Sequence, residues 1–304
     1  MTSNSPPRNR LSGPLEDVSG DAGYVAGHPE RVGFFTDTSV CIGCKACEVA
    51  CKEWNGLPDP EGDRLQLTGM SYDNTAALGS NSWRHVAFIE QALPPAASAL
   101  SKDQDGDLII SAEALDDPGA TRWLMASDVC KHCTHAACLD VCPTGALVRT
   151  EFGTVIVQPD VCNGCAYCVS ACPFGVIDRR EDDGRAWKCT MCYDRLKIGE
   201  EPACAKACPT ESIQFGVLDE LRERAAKRLE EVGTRYEGAR LYGHDPNDGV
   251  GGTGAFFLLL DRPEVYGLPP DPVVPTKRLG EMWQAAAAAA VALGAVFAVA
   301  VAKR

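Results

Sequence analysis

Sixteen cysteines in this chain fall into four runs of four, and the spacing within each run suits ligands of an iron–sulfur cluster. The third run follows the pattern C-x2-C-x2-C-x3-C-P without deviation, and the second and fourth runs also end in Cys-Pro. Sixteen thiolates saturate four [4Fe–4S] clusters, each of which takes four. The runs are Cys41, Cys44, Cys47, Cys51; Cys130, Cys133, Cys138, Cys142; Cys162, Cys165, Cys168, Cys172; and Cys189, Cys192, Cys204, Cys208.

Two other uses of paired cysteines fit this pattern less well. Disulfide frameworks suit short secreted chains, whereas this chain has 304 residues, of which 45% are hydrophobic, and residues 1–33 do not resemble a secretory signal. Zinc also binds C-x2-C pairs, but its sites do not require a third cysteine at the same spacing and a fourth followed by proline. The pattern therefore favours iron–sulfur clusters over zinc and disulfides.

The shape of such a run predicts how the four runs combine. Three cysteines on a tight loop point to one cluster, and the fourth, which opens a helix, faces the other cluster of a pair. Only nineteen residues, 143–161, separate the second run from the third, so these two are predicted to form one module and the first and fourth runs the other. The alternative is that each run binds its own cluster. The crossed assignment predicts these ligand sets: Cys41, Cys44, Cys47 with Cys208; Cys189, Cys192, Cys204 with Cys51; Cys130, Cys133, Cys138 with Cys172; and Cys162, Cys165, Cys168 with Cys142.

Two histidines, His132 and His135, lie inside the second run. Histidine replaces cysteine as an iron ligand in Rieske centres, but no cysteine is missing from this run. We therefore predict that both histidines tune a cluster or form hydrogen bonds near it and do not bind iron.

Three glycines, Gly249, Gly251 and Gly254, spell the pattern G-x-G-x-x-G. A dinucleotide site requires a strand before such glycines and a helix after them. Here a polar turn precedes the glycines and the apolar residues 255–260 follow, which predict a strand. We therefore expect a glycine-rich loop that packs against a neighbouring segment, not a nucleotide site.

The formal net charge of −13 excludes one class of partner. Nucleic-acid binding requires a basic patch, and bound clusters would make the protein more acidic still. An acidic surface is compatible with docking to a redox partner through complementary charge, and equally with a solvated surface that has no such role.

Residues 285–302 form a stretch of eighteen without a charged or polar side chain. As a helix it would extend about 27 Å, close to the thickness of a bilayer's hydrocarbon core. Trp283 precedes it, where an interfacial aromatic residue is expected. Eleven of the eighteen residues are alanine, so a soluble alanine-rich helix is the alternative. We predict a single transmembrane anchor, whose orientation stays open because two basic residues lie on either side of it.

The remaining patterns predict an α+β fold built from two bacterial-ferredoxin-like modules. Strands are expected at residues 33–37, 83–89, 121–126 and 255–260, hairpins at 146–157 and 176–188, and a surface helix at 219–232. The predicted domains are a flexible tail at 1–33, a first module at 34–128 and 189–260 with an insertion, a second module at 129–188, an extended linker at 261–280 and the anchor at 281–304.

Segments in and beyond the cysteine runs resemble a known family. CIGCKACEVACKEWN (41–55) and KCTMCYDR (188–195) are similar to the first and fourth motifs of the iron–sulfur beta subunit of membrane-bound respiratory formate dehydrogenase. GVGGT (249–253) and YGLPPDP (266–272) also resemble that subunit. The four-run pattern by itself is shared with subunits of nitrate, dimethyl sulfoxide and polysulfide reductases and with partners of some hydrogenases.

The resemblance implies an electron-transfer subunit without a catalytic site of its own. In such a complex, a catalytic subunit with a molybdenum or tungsten pterin cofactor oxidises formate, four [4Fe–4S] clusters carry the electrons, and a membrane cytochrome b subunit passes them to quinone. The resemblance implies a location at the cell membrane with the soluble domain on the extracytoplasmic face, the cytoplasmic face being the alternative. The alternative function is the equivalent subunit of another molybdopterin oxidoreductase or of a membrane hydrogenase.

Overall fold

The chain folds into short strands and helices that alternate along its length. A computed structural model describes residues 30–58, 72–73, 75–92, 100–102, 108–110, 121–274, 276 and 279–302. The strands are β1 (Val32–Asp37), β2 (Arg84–Ala92), β3 (Leu100–Lys102), β4 (Leu108–Ile110), β5 (Thr121–Val129), β6 (Leu147–Arg149), β7 (Val155–Val157), β8 (Asp178–Arg179), β9 (Ala186–Trp187), β10 (Ile213–Val217), β11 (Arg240–Tyr242) and β12 (Ala255–Leu259). The helices are α1 (Ala46–Asn55), α2 (Ala137–Asp140), α3 (Tyr167–Ala171), α4 (Tyr193–Leu196), α5 (Ala203–Lys206), α6 (Leu218–Gly233) and α7 (Leu279–Ala302).

A four-stranded sheet joins the two ends of the cysteine-rich region. Its strand order is β10-β1-β12-β11. Strand β1 precedes the first cysteine run and pairs antiparallel with β10, which follows the fourth run, and it pairs parallel with β12. All five residues of β12 are buried, as expected for a continuous apolar strand covered on both faces. The chain therefore returns after the fourth run to the place where the first run begins.

Three antiparallel strand pairs lie around the cysteine runs. Strands β2 and β5 pair over nine residues in the stretch between the first and second runs. Strands β6 and β7 form the hairpin predicted at 146–157, and β8 and β9 form the hairpin predicted at 176–188. The predictions of strands at 83–89 and 121–126 are also confirmed, although β2 and β5 each extend three residues further.

The helices that contain the third cysteine of each run pack in two pairs. Helix α1, from the first run, packs against α5, from the fourth. Helix α2, from the second run, packs against α3, from the third. Three of these helices, α2, α3 and α5, have only four or five residues, so they have little stability of their own and depend on tertiary packing.

Helix α6 covers the sheet and confirms the prediction at 219–232. It contacts β1, β10 and β11. Leu218, Leu221, Ala225 and Val232 are buried on its inner face, and charged residues occupy most of its outer face. The helix ends at Gly233.

The structure differs from the predicted boundaries at both ends of the globular part. Strand β1 begins at Val32, inside the segment predicted to be a tail, and residues 1–29 of that segment lie outside the described residues. The segment predicted as an extended linker packs on the core at Tyr266 and Leu268. The Tyr242 hydroxyl donates a 2.6 Å hydrogen bond to the carbonyl of Pro269, which ties this segment to β11.

Helix α7 includes the apolar stretch predicted to be a membrane anchor. Met282, Trp283, Val291 and Leu293 are exposed on this helix. In the part of the chain that the structure describes, no helix combines the length and the apolarity needed to cross a membrane. The prediction of a transmembrane helix is therefore not confirmed.

Candidate iron–sulfur sites

The four cysteine loops share one unusual backbone conformation. In each run, the residue before the second cysteine has a positive φ: 64° at Gly43, 44° at His132, 72° at Gly164 and 58° at Met191. For the histidine and the methionine this conformation costs about 1–2 kcal/mol. A left-handed residue in such a loop is typical of the backbone nests that occur at iron–sulfur sites. The same local structure is thus built four times, twice without glycine.

Helix α1 shows how one run can serve two sites. Cys47 and Cys51 are four residues apart on this helix and both are buried. Residues at this spacing lie on one face, about one turn or 5.4 Å apart along the axis. The last two cysteines of each of the other runs have the same spacing. One helix can therefore present its two sulfurs to two neighbouring centres.

Site 1 is a cavity lined by Cys41, Cys44, Cys47 and Cys208. Burial raises the pKa of the Cys47 thiol to about 11, although Arg84 and Ser127 act against this change. The Cys47 Sγ lies 3.2 Å from the Ser127 hydroxyl oxygen. Burial and the neighbouring Cys208 thiolate raise the pKa of Cys41. The structure thus brings three cysteines of the first run together with the last cysteine of the fourth.

Site 2 combines Cys51 with Cys189, Cys192 and Cys204, all of which are buried. Burial, and then the thiolates of Cys189, Cys204 and Cys192, raise the pKa of Cys51. The Asn55 side-chain amide donates to the Cys51 Sγ at 3.7 Å and to the Cys192 Sγ at 4.0 Å. The Met191 N–H donates to the Cys189 Sγ at 3.2 Å.

Site 3 is a cavity lined by Cys130, Cys133, Cys138 and Cys172, together with His132 and Lys188. Burial raises the pKa of Cys138 to about 12, and the thiolates of Cys130 and Cys172 add to this change while Lys188 opposes it. Burial and the same two thiolates, with that of Cys138, also raise the pKa of Cys133.

Site 4 contains Cys142, Cys162, Cys165 and Cys168. Burial, and then the thiolates of the other three cysteines, raise the pKa of Cys168 to about 11. The Ala186 N–H donates to the Cys162 Sγ at 3.4 Å. Cys165 is exposed, so this site lies at the protein surface.

The four sites form a row. The Cys204 thiolate of site 2 raises the pKa of Cys47 in site 1, and the Cys130 thiolate of site 3 raises the pKa of Cys189 in site 2. The Cys168 thiolate of site 4 likewise raises the pKa of Cys138 in site 3. The two exposed cysteines, Cys44 and Cys165, belong to sites 1 and 4. The order along the row is therefore 1, 2, 3, 4, with its two ends at the surface.

The chemistry of these sites fits [4Fe–4S] clusters. Burial and mutual repulsion oppose deprotonation of the crowded thiols, and binding to iron would remove this obstacle. Among the described residues, no three His, Cys, Asp or Glu side chains lie close enough to hold a single metal ion. A four-iron cluster does not require such closeness, because each of its thiolates binds a different iron atom.

His132 provides a second test of this fit. Its Nδ1 accepts a 3.1 Å hydrogen bond from the Val155 N–H, so in the neutral imidazole the proton is on Nε2. Burial, and then the charges of Lys188 and Arg31, lower the pKa of His132 and favour this neutral form. The Nε2 atom is buried and has no partner within the described residues. A cluster in site 3, whose cavity His132 lines, would give this donor an acceptor.

The glycine-rich loop packs against neighbouring segments, as predicted. A Cβ atom on Gly249 would lie 2.1 Å from the carbonyl oxygen of Pro272. A Cβ atom on Gly251 would lie 2.4 Å from the His135 ring. Strand β12, not a helix, follows the glycines. The loop therefore needs glycine for close packing and lacks the helix of a dinucleotide site.

Four residues beside the cysteines were not predicted from the sequence. They are Asn55, Ser127, Arg84 and Lys188, which contact the cysteine thiols or lie among them. Lys188 directly precedes a cysteine, which is a weak signal. Arg84 and Ser127 reach cysteines 120 and 80 positions away along the chain, and no local pattern marks such contacts.

Comparison with known proteins finds iron–sulfur proteins along most of this chain. Residues 40–146 and residues 121–218 each match a family described as a 4Fe-4S dicluster domain. The iron–sulfur subunit of the nitrate-inducible formate dehydrogenase of Escherichia coli is 38% identical over 257 residues, which are 83% of this chain and 77% of that protein. The formate dehydrogenase iron–sulfur subunit of Haemophilus influenzae is 38% identical over 81% of this chain and 71% of its own length. The B subunit of the anaerobic dimethyl sulfoxide reductase of E. coli is 35% identical over 64% of this chain and 77% of its own length.

The cofactor and the family follow from these matches and from the sixteen cysteines. Two dicluster domains correspond to four [4Fe–4S] clusters, which sixteen thiolates saturate. The relatives named for formate dehydrogenase match more of this chain than the dimethyl sulfoxide reductase subunit does. This chain therefore belongs to the family of formate dehydrogenase iron–sulfur subunits.

Proposed function

We propose that this chain is the electron-transfer subunit of a formate dehydrogenase complex and conducts electrons through four clusters held in sites 1 to 4. The observation that carries this proposal is the row of four cysteine sites with an exposed cysteine at either end, Cys44 and Cys165. Bound [4Fe–4S] clusters supply one-electron redox centres whose potentials depend on charge, hydrogen bonds to sulfur and burial. The exposed ends are where electrons enter and leave.

The proposed ligands are the crossed sets, in which the fourth cysteine of each run joins the site of its partner run. The packing of α1 on α5 and of α2 on α3 supports this pairing. The cavities of sites 1 and 3 support it too. Cys208 lines the cavity of site 1, and Cys172 lines the cavity of site 3. Asn55 supports it for site 2, because its amide lies within reach of both Cys51 and Cys192. The rival assignment, one run to each cluster, would separate these residues.

The protein around the sites holds the clusters and modifies their environment. Buried side chains such as Trp83, Val86 and Met191 pack against the inner cysteines and exclude water. Hydrogen bonds from Asn55 and from the N–H of Met191 reach the sulfurs of site 2. Such groups outside the ligand shell orient the ligands and shift the reduction potential.

In this proposal the chain has no catalytic site and serves two partners. A molybdopterin or tungstopterin subunit oxidises formate and delivers electrons at one end of the row. A membrane cytochrome b subunit receives them at the other. The names of the relatives, which call them iron–sulfur subunits of formate dehydrogenase, support this role.

Helix α7 is proposed to attach the complex to the cell membrane. Its support is the uncharged stretch at 285–302 and the exposure of Trp283, Val291 and Leu293. Apolar side chains of this size on one helix are stabilised by lipid or by a partner helix. The proposal puts the soluble part on the extracytoplasmic face, with the cytoplasmic face as the alternative.

The equivalent subunit of another molybdopterin oxidoreductase is the second candidate. The match to the B subunit of a dimethyl sulfoxide reductase favours it, although that match covers 64% of this chain against 83% for a formate dehydrogenase subunit.

Anaerobic purification of the complex tests both candidates. Iron and acid-labile sulfide should each approach about sixteen per copy of this chain, after subtraction of the partner's share, because four clusters contain four of each. Formate should reduce the clusters, which EPR spectroscopy detects. Iron near half this value would contradict four clusters. Reduction by another donor but not by formate would favour the second candidate.

A further inference from the structure

A buried guanidinium, that of Arg84, lies between sites 1 and 2. Only 2% of this residue is exposed. Its Nη2 donates to the Cys204 Sγ of site 2 at 3.2 Å. Its Nη1 donates at 3.3 Å to the hydroxyl of Ser127, which lies 3.2 Å from the Cys47 Sγ of site 1. Because arginine stays charged in proteins, a permanent positive charge stands at this boundary.

A buried ammonium, that of Lys188, lies between sites 2 and 3. The residue is 2% exposed. Its Nζ donates to the carbonyl of Val155 and, at 3.0 Å, to the carbonyl of Cys189, a residue of site 2. Lys188 also lines the cavity of site 3, together with Cys130 and Cys138. Lys188 thus repeats, one step along the row, the position of Arg84.

The groups that accept hydrogen bonds from these two cations do not balance their positive charge, so bound clusters would balance it. A buried charge is costly unless a group of opposite charge compensates it. Within the described residues, the hydrogen-bond partners of Arg84 and Lys188 are one thiol, one hydroxyl and three carbonyl oxygens. A cluster with four thiolate ligands is negatively charged and becomes more so on reduction. The two cations therefore interact more favourably with the reduced clusters than with the oxidised ones, and most strongly where little water intervenes.

We infer that Arg84 and Lys188 raise the reduction potentials of the clusters in sites 1, 2 and 3, and that site 2, which lies between the two cations, receives both contributions. This inference rests on the ligand sets proposed above. Of these two charges, sites 1 and 3 each receive one. The same charges reduce the repulsion between electrons on adjacent clusters.

Redox titration followed by EPR, on the purified complex, tests this inference. The variants are Arg84→Gln, Lys188→Gln and the double variant, with Arg84→Lys and Lys188→Arg to keep the charge. Arg84→Gln should move two of the four reduction steps to lower potential, and Lys188→Gln should also move two. In the double variant three steps should move, and one of them by the sum of both shifts. Each single shift should correspond to about a tenfold change in the ratio of reduced to oxidised cluster, or 59 mV for one electron.

Controls separate the charge effect from structural damage and from a wrong ligand assignment. Arg122→Gln removes a cation that pairs with Asp261, and it should leave all four steps in place. Unchanged potentials in the neutral variants would overturn the inference. So would equal shifts in the charge-keeping variants, or loss of iron from the neutral variants alone, because the charge would then hold the cluster and not set its potential. Fewer than four clusters in the unaltered complex would instead contradict the proposed function.

Discussion

Trp54 donates a 2.9 Å hydrogen bond from its indole nitrogen to the Asp194 carboxylate, across 140 positions of the chain. Trp54 lies on α1, which contains the last two cysteines of the first run, and Asp194 lies on α4, within the fourth run. The Arg195 guanidinium stacks on the same indole at 4.2 Å from the ring centre. These contacts hold together the two runs that contribute to sites 1 and 2.

Removal of this hydrogen bond should weaken the link between the first and fourth runs. We expect Trp54→Phe and Asp194→Asn each to destabilise the protein by about 0.5–1.5 kcal/mol, the net value of one hydrogen bond. The double variant should lose less than the sum of the two, because both changes remove the same contact. Loss of visible absorbance on heating measures the effect. Additive losses would show that the two residues are not coupled.

Substitution of Cys51 distinguishes the crossed ligand sets from the rival assignment. Cys51→Ser should alter or remove the cluster of site 2, because the thiolates of Cys189, Cys204 and Cys192 are those that raise the pKa of Cys51. The cluster of site 1 should keep its EPR signal. Cys47→Ser is the matched variant on the same helix and should affect site 1. Loss of the cluster bound by Cys41, with the one bound by Cys189 intact, in the Cys51 variant would refute the crossed sets.

Substitution of a glycine in the 249–254 loop tests its packing role. Gly249→Ala should destabilise the protein by about 1–3 kcal/mol, because its Cβ would meet the backbone at Pro272 and cannot be avoided by a side-chain movement. Gly233→Ala is the control, since no atom lies within 4 Å of its Cβ position. The control should be neutral or stabilising by up to about 1 kcal/mol. Both are compared by thermal loss of visible absorbance at one heating rate. Equal midpoints would contradict the packing role.

Deletion of residues 285–304 tests the proposed anchor. The truncated chain, expressed without its partners, should leave the membrane fraction and keep its colour, because no cysteine lies beyond Cys208. The full chain, expressed in the same way, is the control. Sedimentation of the truncated chain with membranes would show that another surface makes the attachment. Loss of colour would show that this segment contributes to folding.

The cysteine runs, the hairpins and helix α6 could be predicted from the sequence because their signals are local. The spacing of the third run, from Cys162 to Cys172, limits which sulfurs can reach one cluster. Turn residues such as Gly153 and Gly184 separate the strands of the two hairpins, and both glycines have positive φ. The apolar periodicity and the glycine stop of α6 lie within sixteen residues. The family resemblance came from the same short segments.

The tertiary structure alone decided what lies between the sites. Arg84 is the first residue of strand β2, and no local sequence pattern marks it as a neighbour of a cluster. Only folding brings it to Cys204. Folding likewise leaves Cys44 and Cys165 exposed while the cysteines of site 2 are buried. The physical reason is the range of the interactions. Ligand spacing depends on the geometry of a few consecutive residues, whereas burial and the fields of charged groups depend on segments that are distant in the chain and meet only in the folded protein.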